Sequence, residues 1–481
     1  MFLWLEQFAL LLVVCVFPWT RWAGGLNLSA GECTGAMILG FVSLVFCGWM
    51  IGLGISARLC VAEDQTRILA LRNRLRRAMA ILRWASIVWL TVGLFILGWG
   101  NRVEIGWGLW GAALPLAQIL WMLGPVLTWI GLAATTYSLV VKFRQTIGAG
   151  AGPIQATIHP MPPLGQYLSW FIRNGLNTLV VVFSVMTVQL ETILWVQRSG
   201  GWTKAWLFLY LLLPVILYAF SSYPRIWIMN SEAIEEKGLR RRLNFLALDA
   251  GVHLRQVRIW KTHFMVANAY LLGLTRWSRF ILISDALLES LDRDELHAVF
   301  AHELGHGRHR HATWLFGTLF AGSILGAGLA AWWVRHFALS VQWFVPVQVI
   351  FFVIFVAAVM PAMRRVFEHQ ADWFAVLAMA QWRGTQRYTD DEFSREAFVS
   401  QSELSTGLAA IRSALLRVAQ ISNHPTDKRS WTHPSTNVRI TAWERLIQHR
   451  QAVKLMDDHA KRLCRVVVGA FIIGLLLMVF Q

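Results

Sequence analysis

The chain has 481 residues, of which 56% are hydrophobic and only 15% are charged, and its formal net charge is +17. Soluble domains are about half apolar and roughly a quarter charged, so this composition, with its long uninterrupted apolar blocks, excludes an ordinary soluble protein. The positive charge accompanies no recognised nucleic-acid-binding motif, and arginines beside apolar blocks are typical of cytoplasmic loops in membrane proteins. We therefore expect a lipid bilayer as a partner and no nucleic acid.

Nine segments approach the length of about 20 mostly apolar residues that one bilayer-crossing helix needs. In chain order they are 2–20, 35–58, 84–100, 112–140, 177–197, 204–223, 313–334, 341–360 and 464–480. The first segment lacks a basic leader and a cleavage site, so we expect a retained span and not a signal peptide. The fourth contains Pro115 and Pro125 and is expected to be either one tilted helix or a broken pair.

Arginines are concentrated in the loop predicted after the second span, at positions 67, 72, 74, 76, 77 and 83. The positive-inside rule then places the amino terminus inside and the carboxyl terminus outside. Segments 224–312 and 361–462 both face the cytoplasm in this arrangement, so they can form one domain from two pieces. Glu191, within the fifth predicted span, indicates a functional carboxylate, a hydrogen-bonded protonated acid or a misplaced span boundary.

The residues before the seventh span predict a helix with a defined start. Asp292 followed three residues later by Glu295 matches a capping box. Leu296, Val299 and Phe300 then supply an apolar face at helical spacing. We therefore expect the helix to begin at about Asp292 and to include the histidine-rich stretch that follows.

His302 and His306 are four residues apart on this predicted helix, so their imidazoles share one face, and Glu303 lies beside them. The H-E-x-x-H pattern is typical of two zinc-binding imidazoles with a carboxylate that acts as general base. The other interpretation is a polar helix end at the membrane interface, with its histidines solvated or in contact with lipid headgroups.

A third ligand is predicted after the next two spans, in RRVFEHQADWFAV. Glu368 and Asp372 are four residues apart and share a helical face. Glu368 is the natural third ligand, since catalytic zinc usually has three protein ligands. Asp372 can accept a hydrogen bond from the far nitrogen of a ligand histidine. Their alternative role is that of surface carboxylates near Arg364 and Arg365.

Three further histidines lie close to these residues in the sequence. We expect His309 to be solvated and His369 to point away from the site. His311 follows His306 by five residues, roughly 140 degrees around a continuous helix, which predicts a poor ligand.

Four motifs in order resemble those of one known family. HELGHGRHRH (302–311) is similar to the zinc helix of the HtpX and CAAX prenyl protease (Ste-type) group of integral-membrane zinc metallopeptidases. EHQAD (368–372) resembles the third-ligand motif of that group, VANAYLLG (266–273) its edge segment and THPSTNVRI (432–440) its H-P…R-I motif. The resemblance covers about 224–450, and the first six spans and the last one lie outside it.

The resemblance implies a zinc metalloendopeptidase of the gluzincin type that acts on protein or peptide substrates. It implies one zinc ion per chain, with ligands His302, His306 and Glu368 and with Glu303 as general base. It also implies that Asn268, Ala269 and Tyr270 line a cleft where a substrate adds as a strand; a turn role for Asn268 is the alternative. His433 and Arg439 would donate to the oxyanion or cover the metal, although Arg439 could instead pair with an acidic neighbour, and His424–Pro425 is a competing His-Pro pair.

The expected fold class is a predominantly α-helical polytopic membrane protein with a cytoplasmic gluzincin-type α+β zinc protease domain. The predicted parts are a membrane region (1–223), the two pieces of the catalytic domain (224–312 and 361–462), the hairpin between them (313–360) and a last span (463–481). The alternatives are a proteolytic membrane sensor, a catalytically inactive scaffold and a transporter. The sequence makes no prediction of the oligomeric state.

Overall fold

The structure is a computed structural model of the full chain. It describes residues 6, 9, 10, 13, 28–62, 64–99, 116–149, 160–177, 204–338, 343–383, 400–422, 426–427, 434–448 and 451–479. The chain divides into two compact units, Met1–Leu217 and Tyr218–Gln481.

The first unit contains three long helices: α1 (Ala30–Leu59), α2 (Gln65–Phe95) and α3 (Leu116–Ala149). Helix α3 is continuous through Pro125, so among the described residues the fourth predicted span is one helix and not a broken pair. Most of the fifth predicted span, including Glu191, lies outside the described residues. In the first predicted span, Glu6 is buried and accepts a hydrogen bond from Arg83 Nε at 2.5 Å.

The arginine-rich segment that we predicted as a loop after the second span is helical, and this prediction was wrong. Helix α2 begins after Asp64, whose side chain accepts the Thr66 amide. Buried apolar residues recur every three or four positions along it, at Ile68, Leu71, Leu75, Met79 and Leu82. This stripe packs on α1 and α3, and the arginines occupy the other faces. The segment is therefore an amphipathic extension of the third predicted span.

Among the described residues, five helices are long and apolar enough to cross a membrane. They are Ala30–Leu59, Gln65–Phe95, Trp121–Thr146, His311–His336 and Val347–Trp382. A sixth is added if Leu209–Phe220 and Ser222–Ile228, which are bent by 42°, form one span.

The second unit contains a four-stranded sheet of β1 (Ser231–Ala233), β2 (Gln256–Trp260), β3 (Ala269–Leu272) and β4 (Phe280–Ser284). The order is β1-β2-β4-β3, with β2 and β4 parallel and the other two pairs antiparallel. Strand β4 is buried throughout because both of its neighbours are strands of the same sheet. Strand β3 is therefore an edge strand with one free side.

The remaining helices follow α3 in chain order. They are α4 (Lys204–Phe220), α5 (Ser222–Ile228), α6 (Lys237–Asp249), α7 (Asp285–Ser290), α8 (Arg293–Arg308), α9 (His311–His336), α10 (Phe344–Arg383), α11 (Gln401–Ile421), α12 (Thr436–Gln448) and α13 (Gln451–Val479). Helix α10 has 40 residues and joins the predicted span 341–360 to the predicted ligand segment without a break. The residues after the predicted span are therefore placed by the same continuous helix.

One core unites the sheet with α8, α10 and α11. Phe300 and Leu304 from α8 meet Ile281 and Ile283 from β4 and Phe374 from α10 in this cluster, all of them buried. The last helix, α13, packs on α9, where a Cβ added to Gly328 would lie 2.6 Å from the Gly474 carbonyl oxygen. Small residues at this crossing let the two backbones approach, as in membrane helix pairs.

Candidate metal centre

Helix α8 carries the first two candidate ligands, and its start matches the sequence prediction. Asp292 accepts the Glu295 amide and Glu295 accepts the Asp292 amide, so the predicted capping box is confirmed. His302 and His306 follow on one face of this helix, and their Nε2 atoms lie 3.2 Å apart. The helix thus presents two imidazole nitrogens to one point.

Helix α10 supplies the third candidate ligand. Glu368 Oε2 lies 3.7 Å from His302 Nε2, and Glu368 Oε1 lies 3.9 Å from His306 Nε2. One ligand atom from each of these three side chains can be chosen so that all lie within 4.8 Å of one another. The structure therefore brings together the His302, His306 and Glu368 side chains that the sequence singled out.

Gly305, inside the H-E-x-x-H pattern, explains how the two helices approach closely enough. A Cβ at this position would lie 2.9 Å from Ala371 Cα and 3.0 Å from the Ala371 carbonyl oxygen. Any side chain would push α8 away from α10 at the level of the candidate ligands. The glycine and the small Ala371 are therefore needed for three donors on two helices to converge.

Asp372 lies one turn after Glu368 and is fully buried. Its Oδ1 is 2.9 Å from His302 Nδ1, and its Oδ2 accepts hydrogen bonds from Arg439 Nε at 2.8 Å and from Trp443 Nε1 at 3.1 Å. Arg439 Nη2 also donates to Oδ1. Four donors thus surround one carboxylate, which leaves His302 Nε2 directed toward Glu368 and His306.

His311 contacts the site in a way that our prediction missed. We expected one continuous helix, but α8 ends at Arg308, and Arg310 has a left-handed backbone with φ of 54° before α9 begins. This break brings His311 Nδ1 to 2.8 Å from His306 Nδ1. The His311 ring is buried and stacks on Phe367, with the two ring centroids 4.1 Å apart. His311 is thus a hydrogen-bond partner of a candidate ligand and not a ligand itself.

His309 is also not freely solvated, since its ring stacks on His311 at 5.4 Å. It is partly buried. The predicted solvated role of His309 was therefore only partly right.

Glu303 lies between the two ligand histidines in sequence and faces the sheet. Its Oε2 accepts the backbone N–H of Leu271, in edge strand β3, at 2.9 Å. Burial raises the pKa of Glu303 to about 7. A carboxylate with this pKa can both accept and return a proton near neutral pH.

The pKa values of the two candidate ligand histidines shift in opposite directions. Burial, and then the neighbouring His302, lower the pKa of His306 to about 3, so this ring is neutral. Burial also lowers the pKa of His302, but the hydrogen bond to Asp372 and its negative charge outweigh this effect, so the pKa lies above its ordinary value. His302 Nε2 and His306 Nε2 face each other, so they cannot both carry protons. A cation bound between them would take the place of a proton.

The predicted cleft residues lie on or next to the free edge of the sheet. The Asn268 carbonyl accepts the Ser284 amide at 3.0 Å, and the Asn268 amide donates to Ser284 Oγ at 3.1 Å. The Asn268 side chain accepts the Ala269 amide at 3.0 Å. Tyr270 is partly exposed and packs beside Trp260. The segment containing His433 and the competing His424–Pro425 pair lies outside the described residues.

The donor set suits a catalytic divalent zinc ion. Two imidazole nitrogens and one carboxylate are the ligands that zinc takes in such sites, with a further position left for water. The far nitrogen of each histidine contacts a buried partner, as ligand histidines usually do. Two histidines, a carboxylate ligand and an adjacent carboxylate on helices are the groups that zinc metallopeptidase sites use.

Comparison with known proteins gives the family. Residues 233–447 match Peptidase family M48. This part of the chain is therefore an M48 peptidase domain, and the resemblance to the HtpX and CAAX prenyl protease group is confirmed. The helices long and apolar enough to cross a bilayer make the chain an integral membrane protein.

Individual relatives match over shorter stretches. The CAAX prenyl protease 1 homolog of Arabidopsis thaliana is 26% identical over 225 residues, which is 44% of this chain and 50% of the plant protein. The Protease HtpX homolog of Helicobacter pylori (strain Shi470) is 41% identical over 76 residues, which is 16% of this chain and 24% of that protein. The chain thus spans half or less of the length of these relatives. The crystal structure of S. mikatae Ste24p aligns with a TM-score of 0.43 and 14% identity, covering 85% of this chain and 98% of that one.

Proposed function

We propose that the protein is a zinc-dependent membrane endopeptidase that hydrolyses peptide bonds of membrane-associated or unfolded proteins. The observation that carries this proposal is the convergence of His302, His306 and Glu368 beside Glu303. One zinc ion per chain would be held by these three side chains. When bound, it would supply Lewis-acid chemistry, activating a water molecule and polarising the scissile carbonyl.

Glu303 is the proposed general base. Its carboxylate accepts the Leu271 amide through one oxygen, which leaves the other oxygen for the attacking water. Glu303 would take a proton from that water and return it to the leaving amine. Its pKa near 7 matches both steps, since general acid–base catalysis is most efficient when the pKa is near the working pH.

Strand β3 is the proposed substrate platform. Its amide at Leu271 points away from β4 and contacts Glu303, so a peptide added to this free edge would pass directly beside the base. Main-chain pairing of this kind gives affinity with little dependence on sequence. Asn268, Ala269 and Tyr270 would line the start of this edge.

The other proposed roles concern His433, Arg439 and the location of the domain. His433 would donate to the oxyanion that develops at the scissile carbonyl. Arg439 already uses two nitrogens on Asp372, which supports a positioning role for it. The catalytic domain is proposed to face the cytoplasm because arginines are concentrated in the segments that the positive-inside rule assigns to that side.

Substitution of Glu303 by Gln tests the chemistry. The full chain is purified in detergent, and its zinc content and its cleavage of casein and of a model membrane substrate are measured. The change keeps the shape of the side chain but removes the base, so we expect one bound zinc per chain and a loss of rate of about 10²–10⁴-fold.

Glu444→Gln is the matched control, because this exposed carboxylate of the same unit lies 4.0 Å from Arg412. It should cleave like the wild type. Undiminished cleavage by Glu303→Gln would exclude the proposed mechanism. A wild-type protein without zinc would exclude the metal assignment.

A further inference from the structure

We infer that the carboxyl-terminal helix α13 controls the second zinc ligand through a buried chain of hydrogen bonds, His306–His311–Gln370–Asp457. This inference rests on the proposed zinc site. His311, Gln370 and Asp457 act in it as positioning residues. They fix which nitrogen of His306 carries its proton and which is left to bind the metal.

The chain consists of three consecutive contacts. His306 Nδ1 lies 2.8 Å from His311 Nδ1, and His311 Nε2 lies 3.2 Å from Gln370 Oε1. Gln370 Nε2 then donates to Asp457 Oδ1 at 2.7 Å. His311 and Gln370 are both buried, so water does not substitute for these contacts. The four residues lie on four different helices: α8, α9, α10 and α13.

The direction of every hydrogen bond in the chain follows from its carboxylate end. Asp457 only accepts, so Gln370 presents its amide nitrogen to Asp457 and its oxygen to His311. The ring nitrogen of His311 that faces this oxygen, Nε2, must carry the hydrogen. In a neutral ring its Nδ1 is then an acceptor, and His306 must donate through Nδ1. His306 Nε2 is left with a free lone pair, which is the form that binds a metal ion.

The reverse arrangement would disable the site. If His311 carried its proton on Nδ1, it would donate to His306 Nδ1, and the proton of a neutral His306 would move to Nε2. That nitrogen lies 3.2 Å from His302 Nε2, at the point where the three candidate ligands converge. A metal ion would then have to displace a proton in order to bind. The amide orientation of Gln370, set by Asp457, excludes this state.

The stack of His311 on Phe367 holds the ring plane but does not choose between the two tautomers. Phe367 is parallel to the ring at 8° and has no donor or acceptor. Packing therefore explains where the His311 ring lies, whereas the contact with Gln370 explains which of its nitrogens carries the hydrogen. This distinction gives the inference a test that a packing role does not satisfy.

Asp457, the last residue of the hydrogen-bonded chain, lies on α13, which continues to Val479. The backbones of α13 and α9 meet closely at Gly474 and Gly328, and α9 begins at His311. A shift of α13 along α9 would therefore move Asp457 relative to Gln370 and weaken zinc binding. The carboxyl-terminal helix thereby becomes part of the metal site, although it supplies no ligand.

The test measures zinc affinity of the full chain in detergent by competition with a chromophoric chelator, together with the thermal midpoint of the metal-free protein. Gln370→Met removes the acceptor for His311 while keeping similar volume, and we expect zinc affinity to fall on the order of tenfold or more. Asp457→Asn keeps an acceptor oxygen for Gln370 but loses the charge, and its zinc affinity should lie between those of Gln370→Met and the wild type.

The double variant Gln370→Glu with Asp457→Asn moves the carboxylate one residue closer to His311 and keeps every donor opposite an acceptor. We expect it to recover zinc affinity close to that of the wild type. Asp458→Asn is the control, since it removes a neighbouring charge of α13 whose Oδ1 lies 3.8 Å from Lys461 Nζ. Its zinc affinity should be unchanged.

The outcomes separate the inference from the proposed function. Wild-type zinc affinity in both Gln370→Met and Asp457→Asn would overturn the inference, as would a double variant no better than Gln370→Met. A packing role predicts that affinity follows the thermal midpoint of the metal-free protein, with no recovery in the double variant. Failure of the wild type itself to bind one zinc would instead overturn the proposed function.

Discussion

His302 and His306 lie one turn apart on the same helix, yet the structure supports them in different ways. His302 contacts a fully buried carboxylate, Asp372, directly at 2.9 Å. His306 reaches a carboxylate, Asp457, only through two intermediate side chains, His311 and Gln370. We call these the direct support and the relayed support.

The difference shows which parts of the chain each ligand depends on. The direct support comes from α10 and α12, which belong to the core of the second unit. The relayed support ends at the partly exposed Asp457 of α13, whose Val453 joins the same core and whose later residues pack along α9. We therefore expect changes in the direct support to affect both folding and metal affinity, and changes in the relayed support to affect metal affinity more than folding.

The largest effect is expected for Asp372→Asn, which breaks the direct support. Asp372 accepts from Arg439 through both oxygens, from His302 through Oδ1 and from Trp443 through Oδ2. An amide must turn its NH2 group toward one of these pairs of donors, and Arg439 loses its counter-charge. Removing one partner of a buried ion pair costs about 3–5 kcal/mol. The thermal midpoint of the metal-free protein should fall clearly.

Zinc affinity of Asp372→Asn should fall as well, on the order of 10–100-fold, because His302 loses the acceptor that holds its proton on Nδ1. Asp458→Asn serves again as the charge-removal control. If Asp372→Asn changes neither the thermal midpoint nor the zinc affinity, then Asp372 stabilises neither the fold nor the position of His302.

Gly305→Ala should have the next largest effect, and it acts on both supports at once. The added Cβ would lie 2.9 Å from Ala371 Cα, which is backbone and cannot rotate away. Overpacking of this kind costs roughly 1–3 kcal/mol. Helices α8 and α10 must separate, which moves Glu368 away from both histidines. We expect a lower thermal midpoint together with weaker zinc binding.

Gly35→Ala is the matched control, since a Cβ there meets nothing within 4 Å. It should leave the thermal midpoint and the zinc affinity as they are. A Gly305→Ala protein that binds zinc like the wild type would mean that the close approach at Ala371 does not set the geometry of the donors.

The sequence was sufficient to predict the parts of the site that follow helical periodicity. His302 and His306 at a spacing of four, and Glu368 and Asp372 at the same spacing, each share a face whatever the surroundings are. The capping box at Asp292 is equally local and was confirmed.

The relayed support could not be predicted from helical periodicity, because it depends on the break between α8 and α9. Arg310 adopts a left-handed conformation without glycine, and no local signal marks it, so His311 was assigned to the wrong side of a helix that does not continue. Gln370 and Asp457 are 87 residues apart, and no spacing rule connects them. The prediction of a loop in the arginine-rich part of α2 was wrong because the charge was given more weight than the apolar stripe beside it.

The smallest effect is expected for Arg439→Lys, which weakens the direct support without removing its charge. The guanidinium donates to both oxygens of Asp372, through Nε at 2.8 Å and through Nη2. A lysine is a single point donor and keeps one of these contacts, so the variant should lose about 1 kcal/mol of stability and less than tenfold in zinc affinity. Thermal unfolding and the chelator competition measure the two quantities.

The same substitution decides between the two roles that the sequence left open for Arg439. A positioning role through Asp372 predicts that kcat changes only in proportion to the zinc bound, since saturating zinc refills the site. A direct role at the oxyanion predicts a loss of about 10²–10³-fold in kcat with zinc fully bound. Arg439 Nη2 lies 3.9 Å from Glu368 Oε2 and 3.5 Å from His302 Nδ1, while both of its hydrogen-bonding nitrogens are engaged by Asp372. We expect the first result, because the two contacts with Asp372 fix the guanidinium against this buried carboxylate.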